Sequence, residues 1–137
     1  MSETGVTLGQ VEVGTALPEL SIPITSSLIV GGALASRDFT PVHHDKAAAQ
    51  AAGVPDIFMN ILTTNGLVGR YVTDWAGPNA KIENVNIRLG TPNTPGETMK
   101  FTGQVVEMSG DTATVELSGS NSWGDHVTGT VRVALPR

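Results

Sequence analysis

Cysteine is absent from this 137-residue chain, so disulfides, thiol nucleophiles and thiolate metal ligands are all excluded. Histidine is scarce. The three present, two of them adjacent, disfavour a histidine-built zinc centre and leave a carboxylate-rich one open, so no metal site is assigned. Aromatics make up 4% of the residues while Gly, Val and Thr are plentiful, a balance that suits a sheet-rich core. Basic residues are outnumbered, 8 against 13 acidic, and form no cluster; the formal charge of −5 argues against nucleic acid as a partner. Long apolar runs are missing too. The longest, Leu28 to Ala35, is broken by Gly31 and Gly32 and is too short to span a bilayer, so no membrane is implied. The start, Met-Ser-Glu-Thr-Gly, carries no basic leader segment, and the chain reads as cytoplasmic.

The length fits one domain, which at this size buries roughly 68% of its unfolded surface. Residues 1–15 show little periodicity and read as a flexible arm; residues 16–137 read as the domain. Leu17, Leu20, Ile22 and Ile24, interrupted by Pro18 and Pro23, predict a short strand at a sheet edge, where a missing N–H is tolerated. Thr25, Ser26 and Ser27 offer N-cap oxygens for a helix, and Asp45 offers one for Lys46–Ala52, with Gly53 at the C-terminal stop. The double glycine of the first helix suits close helix–helix contact or a widened opening beside the site. The strongest helical signal runs from Ile57 through Ile61, Thr64, Val68, Tyr71 and Val72 to Trp75. Asp56 stands at its start and Gly77-Pro78 at its end, and it is apolar on two flanks, as in a helix wrapped by protein.

The C-terminal part of the chain alternates as strands: Val85 to Leu89, Met99 to Met108 with a slipped phase at Val106, Ala113 to Leu117, and Val127 to Leu135. Ser109-Gly110-Asp111 and Trp123-Gly124-Asp125 supply hairpin turns. The layout predicts an α+β fold, a curved antiparallel sheet around one long helix.

One loop stands apart, Ser36-Arg-Asp-Phe-Thr-Pro-Val-His-His-Asp45. Pro41 fixes its own φ and pushes Thr40 towards extended geometry, stiffening the piece that joins Asp38 to His43. A carboxylate and an imidazole on such a loop suit proton transfer to and from water, worth about 10²–10⁴-fold in rate. Structural roles stay open beside this: Asp38 as an acceptor for loop amides, His43 as the partner of a carbonyl. His44 is read as pointing elsewhere, Asp45 as a cap, and His126 as structural or solvated at its hairpin.

The segment resembles the signature of the MaoC-like (R)-specific enoyl-CoA hydratases, a hot-dog-fold family. Ser36, Asp38, Pro41, Val42, His43 and Ala49 stand in register with that pattern; Arg37 replaces its glycine and Thr40 its asparagine. The segments Asp-Ile-Phe-Met-Asn-Ile-Leu and Arg-Tyr-Val-Thr-Asp-Trp-Ala-Gly-Pro are similar to the small subunits of actinobacterial steroid side-chain enoyl-CoA hydratases. The resemblance implies a single hot-dog domain whose Asp38 and His43 add water across a trans-2-enoyl-CoA. It implies that Thr40 supports the loop and that the Asn60 backbone amide stands near the thioester oxygen. It implies no cofactor beyond the CoA carried by the substrate. The implied partners are a second MaoC-like subunit in a heterotetramer and, at greater remove, a thiolase-like aldolase. Two alternatives stay open: an acyl-CoA thioesterase, and a non-catalytic subunit that completes a partner's pocket.

Overall fold

The computed structural model describes residues 5–137. Its elements are β1 (Ala16–Pro23), α1 (Ser26–Ala35), α2 (Lys46–Ala51), α3 (Ile61–Ala76), β2 (Lys81–Leu89), β3 (Thr98–Ser109), β4 (Thr112–Asn121) and β5 (Gly124–Ala134). The five strands form one antiparallel sheet in the order β1-β3-β4-β5-β2. This is the hot dog that the resemblance implies: the sheet holds α3 against one face, and the other helices gather at one end.

The strand pattern explains the core. In β3, Met99, Phe101 and Val105 point inward, and in β4, Ala113, Val115 and Leu117 do the same. A register shift between Val105 and Glu107 absorbs the slipped phase at Val106. The buried face of α3 recurs at three- and four-residue steps through Thr64, Val68, Tyr71, Val72 and Ala76. Tyr71 stacks on Phe101 with ring centroids 5.0 Å apart, joining helix to sheet. Both prolines of β1 are tolerated because it is an outer strand. At the opposite edge β2 forms where its alternation predicts a strand, yet Val85 and Leu89 stay exposed.

Two expectations need correction. The described part of the arm, residues 5–15, is packed onto the body. Val6 N–H donates to Ala76 O (3.1 Å), Leu8 N–H to Pro136 O (2.7 Å) and Gly14 N–H to Val105 O (2.8 Å), and Val11 enters the core. Residues 1–4 of that arm lie outside the described chain. The long helix begins at Ile61, four residues later than its periodicity predicts. Ile57 and Met59 are buried as the pattern demands, but in a segment without regular secondary structure. Two backbone bonds hold that segment in place: Phe58 N–H donates to Val42 O (3.2 Å) and Met59 N–H to Asn93 O (3.0 Å). Asp56 therefore caps nothing in α3; its side chain accepts from Ile57 N–H next door.

Candidate active site

Asp38 sits just past the C-terminus of α1. Its N–H donates to Ala33 O (2.9 Å), so the helix end fixes where the loop departs. Arg37, between helix and Asp38, has φ +57°, the left-handed region that side chains with a Cβ rarely adopt. That is the position where the hydratase pattern carries glycine. Beyond it, the Thr40 N–H and hydroxyl both donate to Asp38 Oδ1, at 3.2 and 2.7 Å. Thr40 thus ties down the carboxylate two residues earlier. Pro41 then opens a single 3₁₀ turn, Pro41–His43, which swings His43 back towards Asp38. The Asp45 side chain accepts from Ala47 and Ala48 N–H and caps α2, as its position predicts, and His44 points outward, exposed.

The two loop residues meet. His43 Nε2 lies 3.2 Å from Asp38 Oδ2, with His43 buried and the Asp38 side chain a quarter exposed. The far side of the imidazole is held by one residue twice. Phe58 O is 2.6 Å from His43 Nδ1, and the Phe58 ring meets the imidazole edge-on at 5.2 Å. A carbonyl only accepts, so Nδ1 carries a hydrogen towards Phe58 O, and Nε2 is the ring nitrogen that faces Asp38. The Asp38 carboxyl is held below its ordinary range, chiefly by the Thr40 hydroxyl, then by Asn60 and the Thr40 amide; partial burial opposes them.

Asn60 is the N-cap of α3, and it is nearly fully buried at 2% exposure. Its Oδ1 accepts from Thr63 N–H (3.0 Å) and the Thr63 hydroxyl (2.6 Å). Its Nδ2 donates to Ser36 Oγ (3.0 Å) and to Asp38 Oδ2 (3.1 Å). The structure therefore brings Asp38, Thr40, His43 and Asn60 into one cluster, which Asn60 joins through its side chain. Among the described residues, the N–H groups of Asn60, Ile61 and Leu62 donate to no protein atom, as the opening turn of a helix leaves them.

His126 has a larger part than its hairpin position suggests. It is buried, its Nδ1 2.7 Å from Thr91 O and its Nε2 2.8 Å from the Thr64 hydroxyl. It pins the first turn of α3 to β5. Gly32 settles the purpose of the double glycine: a Cβ there would stand 2.1 Å from Thr63 Oγ1, so α1 and α3 touch at this point, whereas Gly31 faces open space. Around the cluster, four large apolar side chains remain uncovered: Leu34 (53% exposed), Phe39 (64%), Ile61 (48%) and Leu62 (51%). A shallow trough of about 320 Å³ between α1 and α3, lined by Gly32, Ala35, Ser36, Leu62, Thr63, Gly66 and Leu67, adjoins them. Among the described residues no three His, Asp or Glu side chains converge as metal ligands, and no helix is long and apolar enough to cross a membrane.

Comparison with known proteins places this geometry. The MaoC-like domain model matches residues 10–125. The 3-oxo-4,17-pregnadiene-20-carboxyl-CoA hydratase beta subunit of Mycobacterium tuberculosis is 50% identical over 123 residues, covering 90% of this chain and 95% of that protein. A chain of the ChsH1-ChsH2 complex from Mycobacterium tuberculosis superposes with a TM-score of 0.89 at 49% identity, covering 90% of this chain and 98% of that one. The R-hydratase PhaJ1 of Pseudomonas aeruginosa gives a TM-score of 0.88 at 20% identity, covering 97% and 87%, a likeness of fold.

Proposed function

Since this chain belongs to the MaoC-like domain family, we propose that it is the Asp/His-bearing subunit of an enoyl-CoA hydratase acting on a steroid side-chain CoA thioester. The observation that carries this reading is the 3.2 Å approach of Asp38 Oδ2 and His43 Nε2. In the tautomer that Phe58 O selects, Nε2 accepts alongside the Asp38 carboxylate. A water seated over the pair gives one hydrogen to each.

Hydration follows from that placement. The water oxygen bonds to the β-carbon of the trans-2-enoyl thioester as one of the pair takes its proton. The π electrons move towards the thioester oxygen, forming an enolate. A proton from the pair then bonds to the α-carbon, and the sum is the addition of one water. The proton inventory belongs to Asp38 and His43 jointly. The enolate oxygen requires oriented donors, and the unpaired amides at the start of α3, Asn60 among them, offer these together with the positive end of the helix dipole. No cofactor enters this scheme beyond the CoA of the substrate.

The uncovered Leu34, Phe39, Ile61 and Leu62 lie on the segments that build the site, which supports a working enzyme completed by another chain. The relative known as a beta subunit and the two-protein complex support, by analogy, a second MaoC-like subunit as that chain. A thiolase-like aldolase is a candidate further associate, and we place the protein in the cytoplasm.

The test is loss of enoyl-thioester absorbance on mixing substrate with this chain, alone and with its partner. Asp38→Ala and His43→Ala are each expected to lower the rate of the complex by about 10²–10⁴-fold. Undiminished hydration by both variants would assign the chemistry to the partner. Release of free thiol in place of hydration would make the protein a thioesterase.

A further inference from the structure

We infer that the Asn60 side chain is a positioning residue for Asp38: its carboxamide orients the carboxylate and leaves one Oδ2 lone pair directed at His43. The inference rests on the hydratase reading for its consequence in catalysis, but its geometry stands alone.

A carboxylate has about four acceptor positions. At Asp38 two are taken on Oδ1 by Thr40, and one on Oδ2 by Asn60 Nδ2. The remaining position on Oδ2 faces His43. Thr40 is two residues away and moves with the loop. Asn60 is 22 residues away at the N-cap of α3, so among the described residues it alone ties the carboxylate to the scaffold.

The amide can adopt only one orientation. Thr63 N–H is a donor and must meet Oδ1; the Asp38 carboxylate is an acceptor and must meet Nδ2. Ser36 Oγ spends its own hydrogen on Gly32 O (2.7 Å), so it too accepts from Nδ2. Turning the amide over would set donors against donors and acceptors against acceptors at a site 2% exposed. Asn60 therefore holds Asp38 with a donor that cannot rotate away. The hydratase pattern has an asparagine in the loop where this chain has Thr40; here a carboxamide reaches the same carboxylate from α3.

Charge at Asp38 is simple to follow. From α1 and α3 it is faced by Ser36 and Asn60, neither ionisable, and the ionisable group beside it is His43 from its own loop. Removing the Asn60 donor should raise the pH at which Asp38 protonates, because the bond favours the charged form.

Two substitutions separate this role from helix capping, since aspartate and serine are both good N-caps. Asn60→Asp preserves shape and the acceptor for Thr63 but sets a second carboxylate against Asp38. Asn60→Ser is too short to reach it. Both are expected to fold and to assemble with the partner. In both, kcat falls at least tenfold at neutral pH with KM changed less than threefold, and the acid limb of the pH profile moves upward. Carbon-13 carboxyl NMR, with Asp38 assigned through Asp38→Asn, is expected to show its midpoint raised by half a unit or more in Asn60→Ser. Folded variants whose Asp38 titration and pH profile overlay those of the unmodified protein would overturn the proposal. Absence of hydration by the unmodified complex would overturn the reaction instead; the titration needs no substrate and still decides whether Asn60 controls the carboxylate.

Discussion

Lowering the pH should weaken this fold through His126. The imidazole is buried at 2% exposure between Thr91 O and the Thr64 hydroxyl. Burial holds its pKa below the usual histidine range, while the bond to the Thr91 carbonyl pulls the other way. The folded state therefore keeps His126 neutral at a pH where the unfolded chain has already taken up a proton. Stability from this source is intact above the unfolded value of about 6.5 and is lost as pH falls below it, until the folded group also titrates. The loss is at most about 1.4 kcal/mol per pH unit in that window. His126→Gln removes the titration while keeping a polar group of similar size. At pH 7.5 it is expected to cost about 1–2 kcal/mol, because one amide serves both partners poorly. Urea unfolding of the two proteins at several pH values reads the gap between them, and every contribution common to both cancels in the difference. The gap should narrow by up to about 1 kcal/mol between pH 6.5 and 5.5. A gap independent of pH would refute the reasoning.

The adjacent glycines of α1 should respond in opposite directions. Gly31→Ala meets open space and is expected to stabilise by about 0.5–1 kcal/mol through helix propensity. Gly32→Ala drives a methyl into Thr63 and is expected to cost about 1–3 kcal/mol, with reduced activity because Thr63 also holds Asn60. Denaturant midpoints of the pair check both signs. Arg37→Gly relieves a left-handed backbone worth roughly 1–2 kcal/mol, offset by about 0.4–1 of extra unfolded-state freedom. The net gain expected in thermal unfolding is about 0.5–1 kcal/mol, with turnover unchanged, since the exposed Arg37 side chain holds no site residue.

The strands, their hairpins and the caps at Thr25 and Asp45 are legible in the sequence because each rests on contacts a few residues apart. So is the meeting of Asp38 and His43, because Pro41 makes the intervening turn a local matter. The start of α3 departs from its periodicity for a definite reason. Periodicity reports which residues are buried, not what backbone carries them, and Ile57 and Met59 are buried on a non-helical segment bonded to Val42 and Asn93. The signal for the true start is an asparagine at an N-cap three residues before Thr63. The bond from Asn60 to Asp38, and that from His126 to Thr64 across 62 positions, depend on how distant elements meet. No short-range pattern encodes them. The packing of residues 5–15 is hidden for the same reason: two of its bonds end at Ala76 and Pro136, far along the chain.

The proton on His43 is assigned by a main-chain oxygen, that of Phe58. Genetic drift can therefore exchange the Phe58 ring for another apolar side chain, losing the edge contact, without deleting the acceptor that chooses the tautomer. Only a change that reroutes the segment, such as a proline that removes the Phe58 or Met59 N–H, can move that proton. Mutational robustness at this site is thus stored in the path of the chain. Selection on position 58 acts on shape alone, and a redesign of the pocket inherits the tautomer ready-made.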